Sequence, residues 1–221
     1  MSIAFFDFDG TLIRRDSGVI CAIPSIRRGL VSVSIGARLI GTYLLSKAGL
    51  RTRTDAMRVG FLCYAGRTLE DLRGIAQALY DDHVRAYLSA PMQDRIEQHR
   101  GRGDLLVILT ASAFFFAEPI ARDLEIDEVI GTPLGFVAER CTGLVDGEIL
   151  DGDAKLRAAQ AVAKRRGVDL SACTFYSDHI SDLPLLEAVG TPVVVSPHAP
   201  LAAVAKARGW SVVSHGAKLG A

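Results

Sequence analysis

No two cysteines of this chain are spaced as a metal or redox motif. Cys21, Cys63, Cys141 and Cys173 are scattered, no C-x-x-C occurs, and no Cys/His cluster has zinc spacing. Buried free thiols are the plain reading and suit a reducing cytosol, so a cytoplasmic protein is expected. An excess of one charge is lacking as well: Lys+Arg and Asp+Glu are both 25, for a formal net charge of +0. That balance gives no electrostatic case for nucleic acid as a partner. No basic region precedes the acids at positions 7 and 9, so the first residues do not read as a signal peptide. The longest stretch free of Asp, Glu, Lys and Arg, Ala188–Ala205, contains Pro192, Pro197 and Pro200 and makes a poor membrane helix. Internal repeats and low-complexity tracts are absent.

What the chain does have is apolar mass. Its 221 residues, 49% of them hydrophobic, suffice for one sizeable domain, or one domain carrying a smaller insert. The opening residues "MSIAFFDFDGT" give an apolar strand and a glycine turn. Residues 16–90 read as almost wholly helical. Residues 91–221 alternate short apolar strands (Asp104–Leu109, Glu128–Ile130, Cys173–Tyr176, Thr191–Val195, Ser211–Val213) with helices (Ala113–Leu124, Asp153–Arg166, Ser181–Ala188, Ala199–Arg208). Residues 134–149, rich in glycine, suggest a small hairpin or flap. Alternating strands and helices predict an α/β fold with a Rossmann-like parallel sheet. The helical stretch is too long for an ordinary crossover. We expect a core of residues 1–15 and 91–221, with 16–90 inserted as an all-helical cap.

Asp7 and Asp9 follow the first strand directly. Carboxylates two apart on a strand project to one side and repel each other. Ligands of open parallel sheets bind beyond the carboxyl ends of the strands, which is where this pair lies. A second pair, Asp178 and Asp182 in "YSDHISDLPLLE", follows a later strand. Acids at two strand ends form a hard-oxygen cluster suited to Mg2+, whose charge would offset the repulsion. Thr110 and Ser112, with backbone N–H groups such as that of Ala111, stand at a strand-to-helix junction able to bind phosphate oxygens. Lys155, early in a helix, would add positive charge at the same edge.

These pieces, in this order, resemble the haloacid dehalogenase-like hydrolase superfamily. "DFDGT" resembles its Asp-x-Asp-x-Thr motif, Thr110 its second motif, Lys155 its third, and Asp178 and Asp182 its fourth. The layout is most similar to the phosphoserine-phosphatase-like branch, with a helical cap after the first motif. Ser177 and Ser196 depart from the pattern; neither is expected to touch a catalytic carboxylate. The resemblance implies a Mg2+-dependent phosphatase of a small phosphomonoester, working through an aspartyl-phosphate. Asp7 would be the nucleophile and Asp9 the general acid and base. Asp7, Asp178 and the Asp9 carbonyl would hold the metal, Asp182 would anchor the metal's second shell or Lys155, and Thr110 and Lys155 would hold the transferring oxygens. The acid at position 9 favours ester hydrolysis over dehalogenation, since halide leaves unprotonated. A lipid-like phosphate as substrate, or a phosphomutase on the same fold, are the alternatives. A glycosyltransferase using the DxD pair would leave the other motifs unexplained.

Asp16, at the cap entrance, reads equally as a contact for a substrate amino group or, with Ser17, as a helix N-cap. His179 reads as a rim residue, and His83, His99, His198 and His215 as surface or structural. Residues 17–50 are unusually apolar. A packed cap core is the plain reading; a surface for a greasy substrate or a membrane is the sharper one, not favoured as partner. We expect from this bias a substrate other than phosphoserine. The oligomeric state stays open.

Overall fold

The computed structural model describes residues 2–29, 31, 33–47 and 52–216. The apolar stretch 17–50 therefore falls partly outside the described residues, at positions 30, 32 and 48–50.

β1 (Ile3–Phe6) is buried along its whole length. A continuous apolar run is what a strand covered on both faces requires. Its side chains alternate between two layers. Ala4 and Phe6 join one core with Leu106, Ile108 and Ile120, and Ile3 and Phe5 join the other with Val107, Val162 and Leu185. β1 pairs in parallel with β2 (Leu105–Ala113) and β6 (Thr174–Ser177). β3 (Glu128–Thr132) lies outside β2, and β7 (Thr191–Val195) and β8 (Ser211–Val213) extend the other edge. The sheet order is β3-β2-β1-β6-β7-β8, and every pairing is parallel. This is the expected Rossmann-like α/β sheet.

Between β1 and β2 come α1 (Ser17–Arg27), α2 (Val33–Lys47), α3 (Arg53–Phe61), α4 (Leu69–Leu79) and α5 (Ala90–Gly101). Thr52 with Asp55, and Thr68 with Asp71, form reciprocal capping boxes that start α3 and α4. α6 (Phe114–Asp123) follows β2. β4 (Leu134–Val137) and β5 (Arg140–Val145) form the antiparallel hairpin read from the glycines. α7 (Asp153–Arg166), α8 (Leu183–Ala188) and α9 (Ala199–Arg208) complete the alternation.

β3 runs two residues past Ile130 and β6 is shifted by one residue, and two places depart further from the sequence reading. β2 runs on past Leu109 to Ala113, with a register shift against β3 between Thr110 and Ala113, so α6 starts at Phe114. The close approach needs Gly131: a Cβ there would lie 2.7 Å from the backbone of Phe114 and Ser112. The segment Ser181–Ala188 is a short 3-10 turn, Ile180–Asp182, followed by α8.

Candidate active site

Asp7 leaves β1 still bound to the sheet, its N–H donating to the Tyr176 carbonyl at 2.9 Å. That fixes its backbone beside β6. The side chain is buried. Lys155, in the first turn of α7, is also buried, and its ammonium donates to Asp7 Oδ1 at 2.6 Å and to Asp182 Oδ2 at 2.8 Å. The Ser177 hydroxyl donates to the same Asp182 oxygen at 2.6 Å. Ser177 thus touches a carboxylate of the fourth motif, a tie that the sequence reading did not foresee. The short turn after β6 folds Asp182 back under the strand end. Asp182 Oδ1 is buried without a partner.

Asp178 follows β6 and closes over Gly10. Gly10 has φ +77°, and a Cβ there would lie 2.2 Å from Asp178 Oδ2. Only glycine fits both the backbone and the approach. Thr11 Oγ1 stands 3.5 Å from Asp178 Oδ1. Burial, with Asp7 and Asp182 adding repulsion, pushes Asp178 up to about 8. Burial also raises Asp7, against the pull of Lys155. For Lys155, burial works against the charge, but Asp182 and Asp7 outweigh it and hold the ammonium above its usual range.

Asp9 accepts the Ser17 N–H at 2.6 Å on Oδ1 and the Ser112 hydroxyl at 2.9 Å on Oδ2. Burial first, then repulsion from Asp16, lifts it to about 7. Such a carboxyl exchanges its proton near neutral pH. Asp16 is the N-cap of α1, accepting the Val19 N–H at 3.1 Å, so the capping alternative is realised. Ser112 serves Asp9, and its N–H donates to Thr110 Oγ1 at 3.0 Å. The buried Thr110 hydroxyl thus keeps its own proton to donate. The Ala111 carbonyl is taken by Thr132 Oγ1 at 2.6 Å.

Three groups of this neighbourhood were not legible in the sequence. Arg53, at the start of α3, lies in the field of Asp151, Asp7, Asp16 and Asp9, which raise its pKa against the effect of burial. It stands 3.9 Å from Asp151 Oδ1. His215 reaches from beyond β8 to the Gly10 carbonyl at 2.9 Å, and its other ring nitrogen meets Ser89 Oγ at 2.8 Å. Burial lowers the pKa of His215, favouring the neutral ring. His99 is buried between Asp104 and Tyr176, at 2.9 Å from each. His179 turns onto Ser181 at 2.8 Å within its own loop.

Among the described residues no three His, Cys, Asp or Glu side chains are arranged as a closed metal cage. A cation here would rest on the two carboxylates of Asp7 and Asp178 and on backbone or solvent oxygen. The charge balance suits one. Burial and mutual repulsion raise both carboxyls, and the neighbouring cation Lys155 is already shared between Asp7 and Asp182. Hard oxygens with unbalanced negative charge fit Mg2+.

The family model described as haloacid dehalogenase-like hydrolase matches residues 4–187. A phosphoserine phosphatase of Mycobacterium tuberculosis is 31% identical over 223 residues, covering 95% of this chain and 69% of its own. A histidinol-phosphatase of Neisseria meningitidis is 27% identical over 218 residues, covering 96% and 98%. A solved protein of unknown function from Bordetella pertussis superposes with a TM-score of 0.87 at 28% identity, covering 97% of this chain and 99% of that one.

Proposed function

The chain belongs to the haloacid dehalogenase-like hydrolase family, on its phosphoserine-phosphatase-like branch, and from that premise we propose that it hydrolyses a small phosphomonoester through an aspartyl-phosphate on Asp7. The observation that carries this is the Lys155 ammonium bridging Asp7 and Asp182, with Asp9 beside them near neutral pKa. Lys155 orients the Asp7 carboxylate so that an oxygen faces phosphorus. That oxygen forms a bond to phosphorus while the bond to the ester oxygen breaks. Asp9, protonated, gives its proton to the departing alkoxide. As a carboxylate it then takes a proton from water, whose oxygen attacks phosphorus and releases Asp7. Asp16 assists by repulsion, which helps keep Asp9 protonated for the first step. Thr110 Oγ1, with its own proton free to donate, faces a transferring oxygen. Asp7, Asp178 and the Asp9 carbonyl would hold Mg2+, with Asp182 behind Lys155. Bound there, the metal supplies charge neutralisation for the phosphate.

Residues 16–90 act in this reading as a cap that selects what enters. The groups it brings near the acids include the charged Asp16 and Arg53, beside the uncharged Ser17, Cys21 and Tyr64. The most apolar side chains of α1, Val19, Ile23 and Ile26, are exposed on the face opposite Cys21, so they give no ground for a greasy leaving group. We assign as substrate class the phosphate ester of a small alcohol carrying an amino group. Phosphoserine and histidinol phosphate, named by the two relatives, share that chemistry. The test is phosphate release from a panel of phosphoamino acids, amino-alcohol phosphates, sugar phosphates and nucleotides, with Mg2+ and with chelator. Asp7→Asn should abolish release from every substrate, because an amide is no nucleophile. Turnover within tenfold of wild type would refute the covalent mechanism.

A further inference from the structure

Two linkers join the helical stretch to the sheet, and they are bonded to each other. The outgoing arm follows Asp9 and Gly10, and the returning arm ends at Ser89. The Ser89 N–H donates to the Leu12 carbonyl and the Arg14 N–H to the Tyr87 carbonyl, each at 2.9 Å, with Ile13 and Leu88 paired antiparallel between them. A two-stranded ribbon of this kind is weak by itself. Its foot is Gly10, whose φ of +77° lies where glycine moves most freely. Asp9 is drawn into the same ribbon, because its carboxylate accepts the Ser17 N–H at the far end of the outgoing arm. Slack at Gly10 therefore shifts the Asp9 carboxyl.

One side chain ties both arms. His215 Nε2 lies 2.9 Å from the Gly10 carbonyl, and Nδ1 lies 2.8 Å from the Ser89 hydroxyl. A carbonyl can only accept, so Nε2 carries the proton, and the neutral Nδ1 then accepts from Ser89. Ser89 is buried, so its hydroxyl needs this acceptor. His215 is itself held from the sheet. Its N–H donates to Ser196 Oγ at 2.9 Å, and the Ser196 N–H donates to the Val213 carbonyl at 2.8 Å. Ser196 has φ +39°, a left-handed conformation that is strained for a residue with a Cβ. The strain sits where the Ser196 hydroxyl anchors His215, just past the carboxyl ends of β7 and β8, on the sheet edge that holds the acids.

We propose that His215 is a positioning residue for the reaction: through Gly10 it fixes the loop that carries Asp9, and through Ser89 it joins that loop to the returning arm of the cap. The proposal rests on Asp9 as the general acid. Its test is single-turnover phosphorylation of the full chain by phenyl phosphate and by p-nitrophenyl phosphate, alongside Asp9→Asn. Phenolate leaves less readily than p-nitrophenolate, so phenyl phosphate depends more on the proton. His215→Phe fills the space without either bond. It should slow phenyl phosphate by at least about tenfold and p-nitrophenyl phosphate much less, with half-saturation nearly unchanged. His215→Gln, whose amide can donate to the Gly10 carbonyl, should recover part of the rate. Ser196→Gly removes the anchor while easing the backbone, and should show the same selectivity in weaker form in a chain that melts like wild type. Should His215→Phe fail to fold, Ser196→Gly decides by the same ratio. Equal losses on the two esters, a rise in half-saturation alone, or unchanged rates would overturn the proposal. If one of these appears while Asp9→Asn stays selective, the positioning role alone falls. If Asp9→Asn itself costs both esters equally, Asp9 is not the acid, and the reading of the site falls with the proposal.

Discussion

Replacing Asp178 by asparagine should make the metal-free protein more stable while disabling it. Asp178 titrates near 8 in the folded chain against an ordinary 3.8, because it is buried beside Asp7 and Asp182. A folded-state pKa raised for an acid means that the folded state binds the extra proton. Stability then falls as pH climbs from about 4 to about 8. At pH 7 roughly three pH units of that window have been crossed. At about 1.4 kcal/mol per unit, the charge destabilises the fold by on the order of 4 kcal/mol. Asparagine has nearly the same shape and no charge to bury. Its weak tie to Thr11, 3.5 Å in the wild type, is a small loss. In chelator at pH 7, Asp178→Asn should therefore melt higher, by roughly 10 °C at 2–4 °C per kcal/mol for a chain of this size. The gain should shrink towards pH 5. Added Mg2+ should stabilise the wild type and leave the variant unmoved, because the variant lacks one of the two carboxylates. Denaturation curves at pH 5 and 8, with and without Mg2+, read all of this. A variant no more stable than wild type at pH 7 without metal, or one stabilised equally by Mg2+, would refute the account of an acid cluster waiting for a cation.

Asp9→Asn should lower turnover of alkyl phosphates by about 10²–10⁴-fold, and of p-nitrophenyl phosphate much less in single-turnover phosphorylation, because only the poor leaving group needs a proton. Equal losses would remove Asp9 as general acid. Lys155→Met leaves Asp7 and Asp182 buried without their shared cation and should cost about 3–5 kcal/mol at pH 8, less at lower pH, because burial raises Asp7 and favours its neutral form. Unchanged unfolding at pH 8 would contradict the bridge seen at 2.6 and 2.8 Å. Arg53→Ala, at a side chain 40% exposed, should leave stability within about 0.5 kcal/mol and raise KM more than it lowers kcat. An unaltered KM across the whole panel would exclude Arg53 from substrate binding.

The parallel sheet was legible in the sequence because its signal is local. The central strands β1, β2 and β6 are short apolar runs buried along nearly their whole length, and helices with their own starts and stops separate most of the strands. Thr191–Val195, Ser211–Val213, Asp153–Arg166 and Ala199–Arg208 fall where the residues place them. The convergence of Asp7, Lys155 and Asp182 was also implied, since a parallel sheet gathers its strand ends on one edge. The extra residues of β2 were not legible, because they depend on Gly131 lying against Phe114 across the sheet. Ser177 read as a departure that bears on substrate fit rather than on the chemistry. Only the turn after β6 brings Asp182 back within 2.6 Å of its hydroxyl. Arg53 and His215 stand far in sequence from Asp7 and Gly10, and no periodicity or motif links them. The apolar bias of residues 17–50 was plain, but its direction was not. The composition of a helix says how much apolar surface it has. Which way that surface faces is decided by the packing of Cys21 and Ser17 against the core.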